Sequence, residues 1–342
     1  MSKRMLVFDF RSGEKEFFDT KDFLDFTITF FEGSLNEKML KKISFEDKKN
    51  TEIISVFLSS NIDKKILDEF ENLKIIATRS TGFNHINLEE CKLHSVAVTN
   101  VTKYGAKTVA QYVFGLIIAL VRKIIPAFLD MKKLQNHPQN YVGNDLDALT
   151  LGVIGTGEIG SNLCKIADFV GMKILAYDLV KDDELVQKHN VEYVDLKTLL
   201  KDSDIVSIHL PYNDGTYHII STEELELMKP SAYLINTSRG ELIDTNSLYQ
   251  ALTNNVINGC ALDVGECEDF SFDMDHFWQK IPQTTRNCLA RALVLQKTIE
   301  LPSVIITPHI AYSTKEAVKT IVETTAKSIK DFYEGKRTNR IV

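Results

Sequence analysis

Short apolar runs alternate with amphipathic segments along most of the chain. In the first hundred residues the apolar runs are MLVFDF, FTITF, IISVFL, LKIIAT and VAVT, and segments such as NEKMLKKI and DKKILDEFEN lie between them. Apolar runs of this length are typical of strands, and the segments between them have helical spacing. This part of the chain therefore predicts a small doubly wound α/β unit with about five parallel strands.

The same alternation returns in the second half of the chain. Residues 104–125 have apolar positions at helical spacing and predict one long helix. The segment QNHPQNYVGNDLDALT has no period and many turn-forming residues, which indicates a connector. The strand candidates that follow are TLGVIG, KILAYD, VEYV, DIVSIHL, SAYLINTS, INGCALDV and SVIITP. They predict a second, larger doubly wound unit.

Length and charge limit the class of protein. A chain of 342 residues exceeds one ordinary hydrophobic core and suits two domains. The net charge of −7 argues against a general nucleic-acid binder. The most apolar stretch, VFGLIIALV, is far shorter than the ~20 residues of a membrane span, and the N-terminus lacks signal-peptide features. We therefore expect a cytoplasmic protein with neither nucleic acid nor membrane as a partner.

The cysteines and several histidines show no metal-ligand spacing. The number of cysteines is odd and no C-x-x-C pair occurs, so neither a disulfide framework nor a zinc site is expected. Cys267 lies between two acidic residues without an activating base and is interpreted as a bystander. The histidines interpreted as surface or loop residues are His85, His94, His189 and His218.

The segment LGVIGTGEIGSNLCKIADFVGMKILAYD predicts a dinucleotide site. Gly155, Gly157 and Gly160 form G-x-G-x-x-G between a predicted strand and a predicted helix, and Asp178 follows 18 residues later at the end of the next strand. The three glycines permit a tight turn, the approach of a pyrophosphate and close packing of helix on strand. An aspartate at this place accepts hydrogen bonds from a ribose diol and repels a 2′-phosphate, so NAD is favoured over NADP.

Polar side chains follow several of the later predicted strands. They include Arg239, Glu268 and His309, with Glu266 as a second candidate acid. Because ligands bind at the carboxyl ends of parallel strands, these groups are expected at one edge. Arginine binds a carboxylate through two hydrogen bonds, and histidine exchanges protons near neutral pH. The set suits redox chemistry on a carbonyl compound that carries a carboxylate.

The order GTGEIG … YD … HLP … NTSRGELID … ALDVGECE … TPHIAY resembles the D-isomer-specific 2-hydroxyacid dehydrogenases over essentially the whole chain. The segment RSTGFNHINL is similar to that family's substrate loop. The resemblance implies a flavodoxin-like substrate domain over residues 1–100 and 309–342. It also implies a Rossmann NAD-binding domain over residues 101–308, and a homodimer whose interface involves the helix at residues 104–125.

The resemblance also implies roles for the candidate residues. Arg239 would bind the substrate carboxylate, His309 would be the general acid and base, and Glu268 would be its paired acid. Glu268 is preferred over Glu266 because its offset of 29 residues from Arg239 agrees with the family.

Four further residues are implied to contact the substrate. Backbone N–H groups of Thr81 and Gly82 would help to hold the carboxylate. Tyr104 and Tyr312 stand where the D-lactate dehydrogenase branch has aromatic contacts, which favours that branch. No metal is expected. The implied cofactor-binding residues are Gly155, Thr156, Gly157, Glu158, Ile159, Gly160, Tyr177, Asp178, His209, Pro211, Thr237, Ser238 and Asp263.

Two features depart from the family pattern. Asn84 and Asn87 replace aspartates that are frequent in the loop, and we expect them to change packing or loop charge only. The interval of 41 positions from Glu268 to His309 is long and contains extra helix-like sequence that could shape the substrate mouth or an interface.

The expected reaction is the reduction of pyruvate to D-lactate by NADH. Alternatives on the same scaffold are reductases of branched, aromatic or glyoxylate-type keto acids. A D-3-phosphoglycerate dehydrogenase is disfavoured because the sequence ends at RTNRIV without a regulatory domain. A different class, an NAD-sensing binding protein like the corepressors of this fold, is weakened by the full acid–base set.

Overall fold

The computed structural model describes residues 2–102, 104–135, 137–268 and 286–342. The chain divides into two compact units. Unit 1 comprises Met1–Tyr104 and Ser313–Val342, and unit 2 comprises Gly105–Tyr312. The functional names given to the two domains from the sequence stay a prediction.

Unit 1 contains a five-stranded sheet in the order β2-β1-β3-β4-β5, with every pair of neighbours parallel. Most residues of the inner strands are buried, as expected for a sheet covered on both faces. The predicted small doubly wound unit of five strands is confirmed. The strands are β1 (Lys3–Val7), β2 (Phe26–Phe30), β3 (Thr51–Val56), β4 (Ile75–Thr78) and β5 (Ala97–Thr99).

The helices of unit 1 before its last one are short, and side chains cap most of their N-termini. Asn87 caps one of them by accepting a hydrogen bond from the backbone N–H of Glu90 at 3.1 Å. Since asparagine and aspartate are equally good N-caps, this departure from the family pattern preserves the local fold. The helices are α1 (Lys15–Phe18), α2 (Glu37–Leu40), α3 (Phe45–Asn50), α4 (Lys64–Leu67) and α5 (Leu88–Leu93).

The last helix of the chain, α14 (Lys315–Tyr333), belongs to unit 1. Its Val322, Ala326 and Ile329 lie in one buried cluster with Met5 and Ile53 of the sheet. The predicted C-terminal helix therefore completes the core of the unit that the first hundred residues begin.

Unit 2 contains a seven-stranded sheet in the order β12-β11-β10-β9-β6-β7-β8, again parallel throughout. The chain leaves β6 in one direction for β7 and β8, and then returns to β9 on the other side of β6. This reversal between β6 and β9 is the kind of switch point where α/β sheets bind ligands. The strands are β6 (Thr150–Ile154), β7 (Lys173–Tyr177), β8 (Glu192–Tyr193), β9 (Ile205–Ile208), β10 (Tyr233–Asn236), β11 (Gly259–Leu262) and β12 (Val304–Ile306).

Helices cover the sheet of unit 2. The predicted connector follows α7 (Ile124–Lys132), and its described residues form two short 3₁₀ turns, at Pro138–Tyr141 and Leu146–Ala148. The α-helices of the described residues are α6 (Ala106–Val121), α7 (Ile124–Lys132), α8 (Glu158–Phe169), α9 (Asp183–His189), α10 (Leu196–Asp202), α11 (Thr222–Leu227), α12 (Thr245–Thr253) and α13 (Arg286–Ile299).

The long helix predicted over residues 104–125 is wrong in its extent, because the chain bends between α6 and α7. Lys123 adopts a left-handed conformation with φ of 51°, which ends the helical ladder, and the two axes differ by 65°. Within the described parts of the chain no single helix has the length and apolar composition of a membrane span. The α6–α7 pair meets those criteria only when the two bent helices are taken together.

Candidate active site

Three neighbouring strands of unit 2 end in the predicted catalytic residues. Arg239 follows β10, Glu268 lies in the loop after β11, and His309 follows β12. Because β10, β11 and β12 are adjacent and parallel, their carboxyl ends lie along one edge of the sheet.

Glu268 and His309 are in direct contact. The Nδ1 atom of His309 lies 2.7 Å from Oε1 of Glu268, and the two side chains are 20% and 27% exposed. With Nδ1 engaged by a carboxylate, the imidazole is held in one orientation and its Nε2 atom remains for proton exchange. Among the described residues, the second oxygen of Glu268 accepts one long contact, of 3.4 Å, from the backbone N–H of Gly265.

Asp263 fixes the backbone that carries His309. His309 has φ of 53°, a left-handed conformation that costs a non-glycine residue roughly 1–3 kcal/mol. Its backbone N–H donates to the carbonyl of Asp263 at 2.9 Å. The Asp263 carboxylate accepts from the Thr307 hydroxyl and from the backbone N–H groups of Ile310 and Ala311, at 2.5, 3.0 and 2.8 Å. These bonds stabilise the strained turn.

The burial and hydrogen bonds of Asp263 bear on the prediction that this residue contacts the cofactor. Its side chain is fully buried, and this burial raises the pKa of the carboxyl group although the Thr307 hydroxyl opposes the shift. The described contacts of the carboxylate are internal to the protein and position residues 307–311. A contact with the cofactor stays a prediction.

Arg239 sits on a turn that the sequence builds locally. Asn236, the last residue of β10, donates from its side-chain amide to the carbonyl of Arg239 at 2.7 Å and accepts from the backbone N–H of Ser238 at 3.0 Å. One guanidinium nitrogen of Arg239 donates to the Ser238 carbonyl at 2.6 Å. No carboxylate of residues 2–268 or 286–342 forms an ion pair with Arg239, so most of its donors remain for an anionic ligand.

Glu266, the other candidate acid, is committed elsewhere. It is buried, and its Oε2 accepts from the backbone and hydroxyl groups of Thr245 at 3.0 and 2.6 Å. Its Oε1 lies 2.9 Å from Nε2 of His218 and 3.0 Å from Arg291, while Nδ1 of His218 lies 3.3 Å from Asp244. The preference for Glu268 as the partner of His309 therefore agrees with the geometry.

His218 and Arg291 are residues that sequence reasoning missed. His218 was interpreted as a surface or loop residue, but it is 17% exposed and bridges two carboxylates. His218, Asp244 and Glu266 also lie close enough together to hold a metal ion, but the guanidinium of Arg291 already supplies positive charge to Glu266. Nothing near His218 in the sequence indicates this cluster, because its partners Asp244 and Glu266 lie 26 and 48 positions away.

The sequence predicts no disulfide framework and makes Cys267 a bystander, but the structure contains a disulfide at this residue. Cys267 and Cys288 are bonded, with Sγ atoms 2.01 Å apart and Cα atoms 5.8 Å apart, which is an ordinary Cα separation for a disulfide. The bond joins the residue directly before Glu268 to α13. The pairing could not be read from the sequence because five scattered cysteines give no framework. The interval from Glu268 to His309, which is long for the family, includes residues 269–285, and these lie outside the described residues.

The glycine motif has the shape that a dinucleotide needs. Gly155 has φ of 95°, and a Cβ there would lie 2.7 Å from the carbonyl oxygen of His209. A Cβ at Gly160 would lie 2.0 Å from the carbonyl oxygen of Gly155, whereas one at Gly157 would meet nothing within 4 Å. Helix and strand are thus packed closely, and the backbone at Gly157 is open to a ligand.

The start of α8 offers hydrogen-bond donors to phosphate. Gly157 is its N-cap and provides no side chain to satisfy the first backbone N–H groups, which belong to Glu158, Ile159 and Gly160. The helix dipole adds partial positive charge at the same end. The glycine segment therefore fits the pyrophosphate of NAD.

Asp178 lies at the end of β7, directly after Tyr177. Its Oδ2 accepts from the backbone and hydroxyl groups of Thr156 at 2.6 and 3.1 Å, and its Oδ1 accepts from Val180 at 3.2 Å. Partial burial opposes ionisation, but these hydrogen bonds hold the pKa of Asp178 below its usual value. The carboxylate is therefore charged at neutral pH, as exclusion of a 2′-phosphate requires.

Two polar atoms beside the switch point are buried without a partner in the described residues, namely Oγ1 of Thr237 and Nδ1 of His209. A bound ligand with polar groups would satisfy such atoms. Nε2 of His209 lies 2.9 Å from the Ser207 hydroxyl, and burial lowers the pKa of His209 to about 4, so the ring is neutral.

Two further predicted cofactor-binding residues, Ser238 and Pro211, form hydrogen bonds within the protein. The Ser238 hydroxyl donates to a backbone carbonyl of β9, and the Pro211 carbonyl accepts from a threonine hydroxyl at 2.7 Å.

The predicted loop residues Thr81 and Gly82 belong to unit 1. The Thr81 hydroxyl donates to the carbonyl of Val101 at 2.9 Å, and the Ser80 hydroxyl donates to the carbonyl of Gly82 at 2.6 Å. Within the described part of the chain, the backbone N–H groups of Thr81 and Gly82 donate to no backbone carbonyl. They are the donors expected to hold a carboxylate.

Buried Arg79, which the sequence reasoning did not single out, anchors this loop. Its guanidinium donates to Ser55 at 3.0 Å and to the carbonyls of Phe8 and Asp9 at 2.9 and 3.1 Å. It thereby ties the ends of β1 and β3 to the start of the loop.

The two predicted aromatic contacts lie where the chain passes from one unit to the other. Tyr104 is the last residue of unit 1 before unit 2 begins, and Tyr312 is the last residue of unit 2 before the chain returns to unit 1.

The family model for the D-isomer specific 2-hydroxyacid dehydrogenase, NAD binding domain, matches residues 114–311. The chain belongs to this family. The matched region contains the glycine motif, Arg239, Glu268 and His309. The fold expected from the sequence, two parallel-sheet α/β units, is confirmed by this match and by the sheets themselves.

Relatives of the dehydrogenase differ in the substrates that their names report. A glyoxylate reductase of Thermococcus litoralis is 34% identical over 300 residues, which cover 86% of this chain and 84% of that protein. A D-lactate dehydrogenase of Aquifex aeolicus, solved with NAD and lactic acid, is 34% identical with a TM-score of 0.84 and covers 99% of both chains. A pyruvate reductase of Chlamydomonas reinhardtii is 30% identical with a TM-score of 0.87, over 98% of this chain and 97% of that one.

The family settles the class of reaction but not the substrate. The chain is an NAD-dependent D-2-hydroxyacid dehydrogenase that acts on a small hydroxy or keto acid. The expected cofactor is confirmed. A non-catalytic NAD sensor, the alternative from another class, gains no support from the three relatives reported above, each of which is named as an enzyme.

Proposed function

We propose that this dehydrogenase reduces pyruvate to D-lactate with NADH. The observation that carries the proposal is the 2.7 Å contact between Glu268 and His309, beside an arginine without a carboxylate partner in the described residues. One side chain handles the proton and the other binds the carboxylate, which are the two needs of 2-keto acid reduction.

The protein's residues have distinct parts in this mechanism. NAD supplies the hydride carrier, and the cofactor-binding residues predicted from the sequence would hold it. Arg239 binds the carboxylate through two hydrogen bonds and polarises the adjacent carbonyl group. His309 donates the proton on Nε2 to the oxygen that becomes the hydroxyl group. Glu268 holds Nδ1 and stabilises the imidazolium before the proton leaves.

Pyruvate is preferred because of the predicted aromatic contacts. Tyr104 and Tyr312 match the D-lactate dehydrogenase branch, and two similar solved structures are named a D-lactate dehydrogenase and a pyruvate reductase. Glyoxylate is the second candidate, since the Thermococcus relative is named a glyoxylate reductase. Glyoxylate lacks the methyl group of pyruvate, so the ratio of kcat/KM for the two acids separates these candidates.

The acid–base assignment is tested by replacing Glu268 and His309 with glutamine. We expect His309→Gln to lower kcat by at least about 10³-fold and Glu268→Gln by about 10–100-fold, with NADH binding unchanged. Glu184→Gln is a matched control, because Glu184 is an exposed carboxylate on α9 whose ion pair among the described residues is with Lys188. Wild-type kcat in His309→Gln would remove the assigned role.

We further propose a homodimer, and we place its interface on α7 instead of the whole stretch 104–125 expected from the sequence, because most apolar side chains of α6 are buried. Every residue of α7 is at least partly exposed, including Ile124, Phe128 and Met131 at 47%, 53% and 53%. Exposed apolar side chains clustered on one helix are typical of an interface. The double variant Phe128→Lys with Met131→Lys should sediment as a monomer, whereas Leu93→Lys, which changes an exposed leucine of α5, should not. The cytoplasmic location stays a prediction.

A further inference from the structure

Three consecutive residues in the loop after β11 are held in three different ways. Glu266 is bound by Thr245, His218 and Arg291, Cys267 is bonded to Cys288, and Glu268 contacts His309. Cys267 is the middle residue and has a left-handed φ of 55°, which a non-glycine residue adopts only when its surroundings hold it. The disulfide therefore acts at the residue next to the proposed catalytic acid.

The disulfide is also placed where small reagents can reach it. Cys267 and Cys288 are half-buried, whereas Cys91, Cys164 and Cys260 are fully buried. Burial raises the pKa of Cys91 to about 11 and the pKa values of Cys164 and Cys260 to about 12. Since the thiolate is the reactive form, these three cysteines are inert at neutral pH in the folded protein. Thiol chemistry of the native protein is thus confined to the bonded pair.

We propose that Cys267 and Cys288 form a reversible thiol–disulfide site that controls the position of Glu268. The reagent class is a low-molecular-weight thiol and its disulfide. A thiolate attacks one sulfur of the pair, releases the other cysteine as a thiolate, and forms a mixed disulfide. A second thiol displaces the first, so two thiols become one small disulfide while the protein gains two electrons and two protons. Oxidation by the small disulfide reverses both steps.

The two states differ in how firmly the Glu268 loop is attached to α13. In the bonded state the loop has a covalent link at Cys267 and an ion pair between Glu266 and Arg291. Reduction removes the covalent link at Cys267, so residues 267 and 268 gain freedom to leave their present positions. A catalytic group displaced by about 1 Å loses up to about 10²-fold in rate. The disulfide form is therefore the more active one.

This proposal rests on the role proposed for Glu268, and its test keeps the two apart. The purified full-length enzyme is equilibrated with reduced and oxidised glutathione at set ratios and quenched. Fast thiols are then counted with a chromogenic disulfide reagent in the native state. We expect none in the oxidised enzyme, two after reduction and five after reduction and denaturation. Two fast thiols in enzyme treated with excess oxidised glutathione would overturn the proposal.

Activity and histidine accessibility are measured on the same samples. We expect reduction to lower kcat/KM by roughly tenfold and oxidation to restore it. Reduction should also speed the modification of His309 by diethyl pyrocarbonate, measured by peptide mass spectrometry, a readout that does not depend on turnover. An unchanged kcat/KM and an unchanged His309 modification rate across a verified change from zero to two thiols would contradict the proposal, as would a rise in kcat/KM on reduction.

Two variants separate the switch from general damage. Cys288→Ser removes the bond without touching the residue beside Glu268, and its kcat/KM should equal that of the reduced wild type at every glutathione ratio. Asn287→Ser changes the adjacent exposed position of α13 and should keep the full redox response. A redox response that persists in Cys288→Ser would overturn the assignment. If no keto acid is turned over in any state, the proposed function fails, while the thiol counts and His309 modification rates still decide the switch.

Discussion

The backbones of Gly240 and Gly265 are in direct contact. A Cβ atom on Gly240 would stand 2.0 Å from the carbonyl carbon of Gly265 and 2.3 Å from the backbone nitrogen of Glu266. Gly240 directly follows Arg239, and Gly265 lies three residues before Glu268. The absence of a side chain at position 240 therefore brings the proposed carboxylate-binding arginine and the loop of the proposed catalytic acid against each other.

Gly240→Ala should damage both loops at once. The added methyl group would have to displace the backbone at Gly265 and Glu266, which is less able to move than a flexible side chain. We therefore expect the free energy of unfolding to fall by about 1–3 kcal/mol and kcat/KM to fall at least tenfold. Urea denaturation and steady-state kinetics measure the two effects. Gly115→Ala is the control, because a Cβ on this exposed glycine of α6 meets nothing within 4 Å. Wild-type values for Gly240→Ala would show that the contact is not needed.

Arg239→Lys should weaken substrate binding although the charge is kept. Lysine offers a point charge instead of a planar fork, so we expect KM for pyruvate to rise by about 10–100-fold. The exposed Arg122, which follows α6, provides the matched control Arg122→Lys. Initial rates over a range of pyruvate concentrations give the answer, and an unchanged KM in Arg239→Lys would mean that the guanidinium does not bind the carboxylate.

Asp178→Asn should reduce the preference for NADH over NADPH. The amide still accepts hydrogen bonds, but the negative charge that repels a 2′-phosphate is gone. We expect the ratio of kcat/KM for the two cofactors to fall by at least about tenfold. Glu192→Gln removes one negative charge from β8 of the same sheet and should leave the ratio unchanged. If both variants keep the wild-type ratio, Asp178 does not select the cofactor.

Asp331 should contribute to stability in a pH-dependent way. Hydrogen bonds from Lys327 and Thr338 lower the pKa of this α14 carboxyl from 3.8 to about 2. A carboxyl whose pKa is lower in the folded state stabilises the fold above pH 4, and the contribution disappears as pH falls from about 4 to about 2. Asp331→Asn should therefore cost up to about 2 kcal/mol at pH 7.

The difference between wild type and Asp331→Asn should shrink steadily below pH 4, as urea midpoints measured in a pH series would show. Asp25→Asn, which changes an exposed carboxylate of the same unit, serves as the control. A stability difference that does not depend on pH would refute the electrostatic explanation.

Much of the fold, and the placing of polar residues at the ends of neighbouring strands, could be predicted because these signals are local. Strand length, the G-x-G-x-x-G spacing and polar residues at strand ends are visible in short windows of sequence. The choice of Glu268 over Glu266 depended on the spacing of 29 residues from Arg239 that the family resemblance implies. The geometry agrees with this choice, since Glu266 is bound by Thr245, His218 and Arg291.

What the sequence concealed depends on residues far apart in the chain. The Cys267–Cys288 bond and the contacts of His218 join segments whose proximity follows only from the packing of α13 and α12 near the loop after β11. The bend between α6 and α7 was missed because Lys123 is an ordinary polar residue whose left-handed conformation has no sequence signal. The hydrogen bonds by which Asp263 holds the turn that carries His309 also join distant segments, and a contact of Asp263 with the cofactor stays a prediction.

The most direct test of the central claim is NADH oxidation by the purified enzyme with a panel of 2-keto acids, followed by chiral analysis of the product. The panel comprises pyruvate, glyoxylate, branched and aromatic keto acids. We expect the highest kcat/KM with pyruvate and D-lactate as its product. No NADH oxidation with any member of the panel, or formation of L-lactate from pyruvate, would contradict the account.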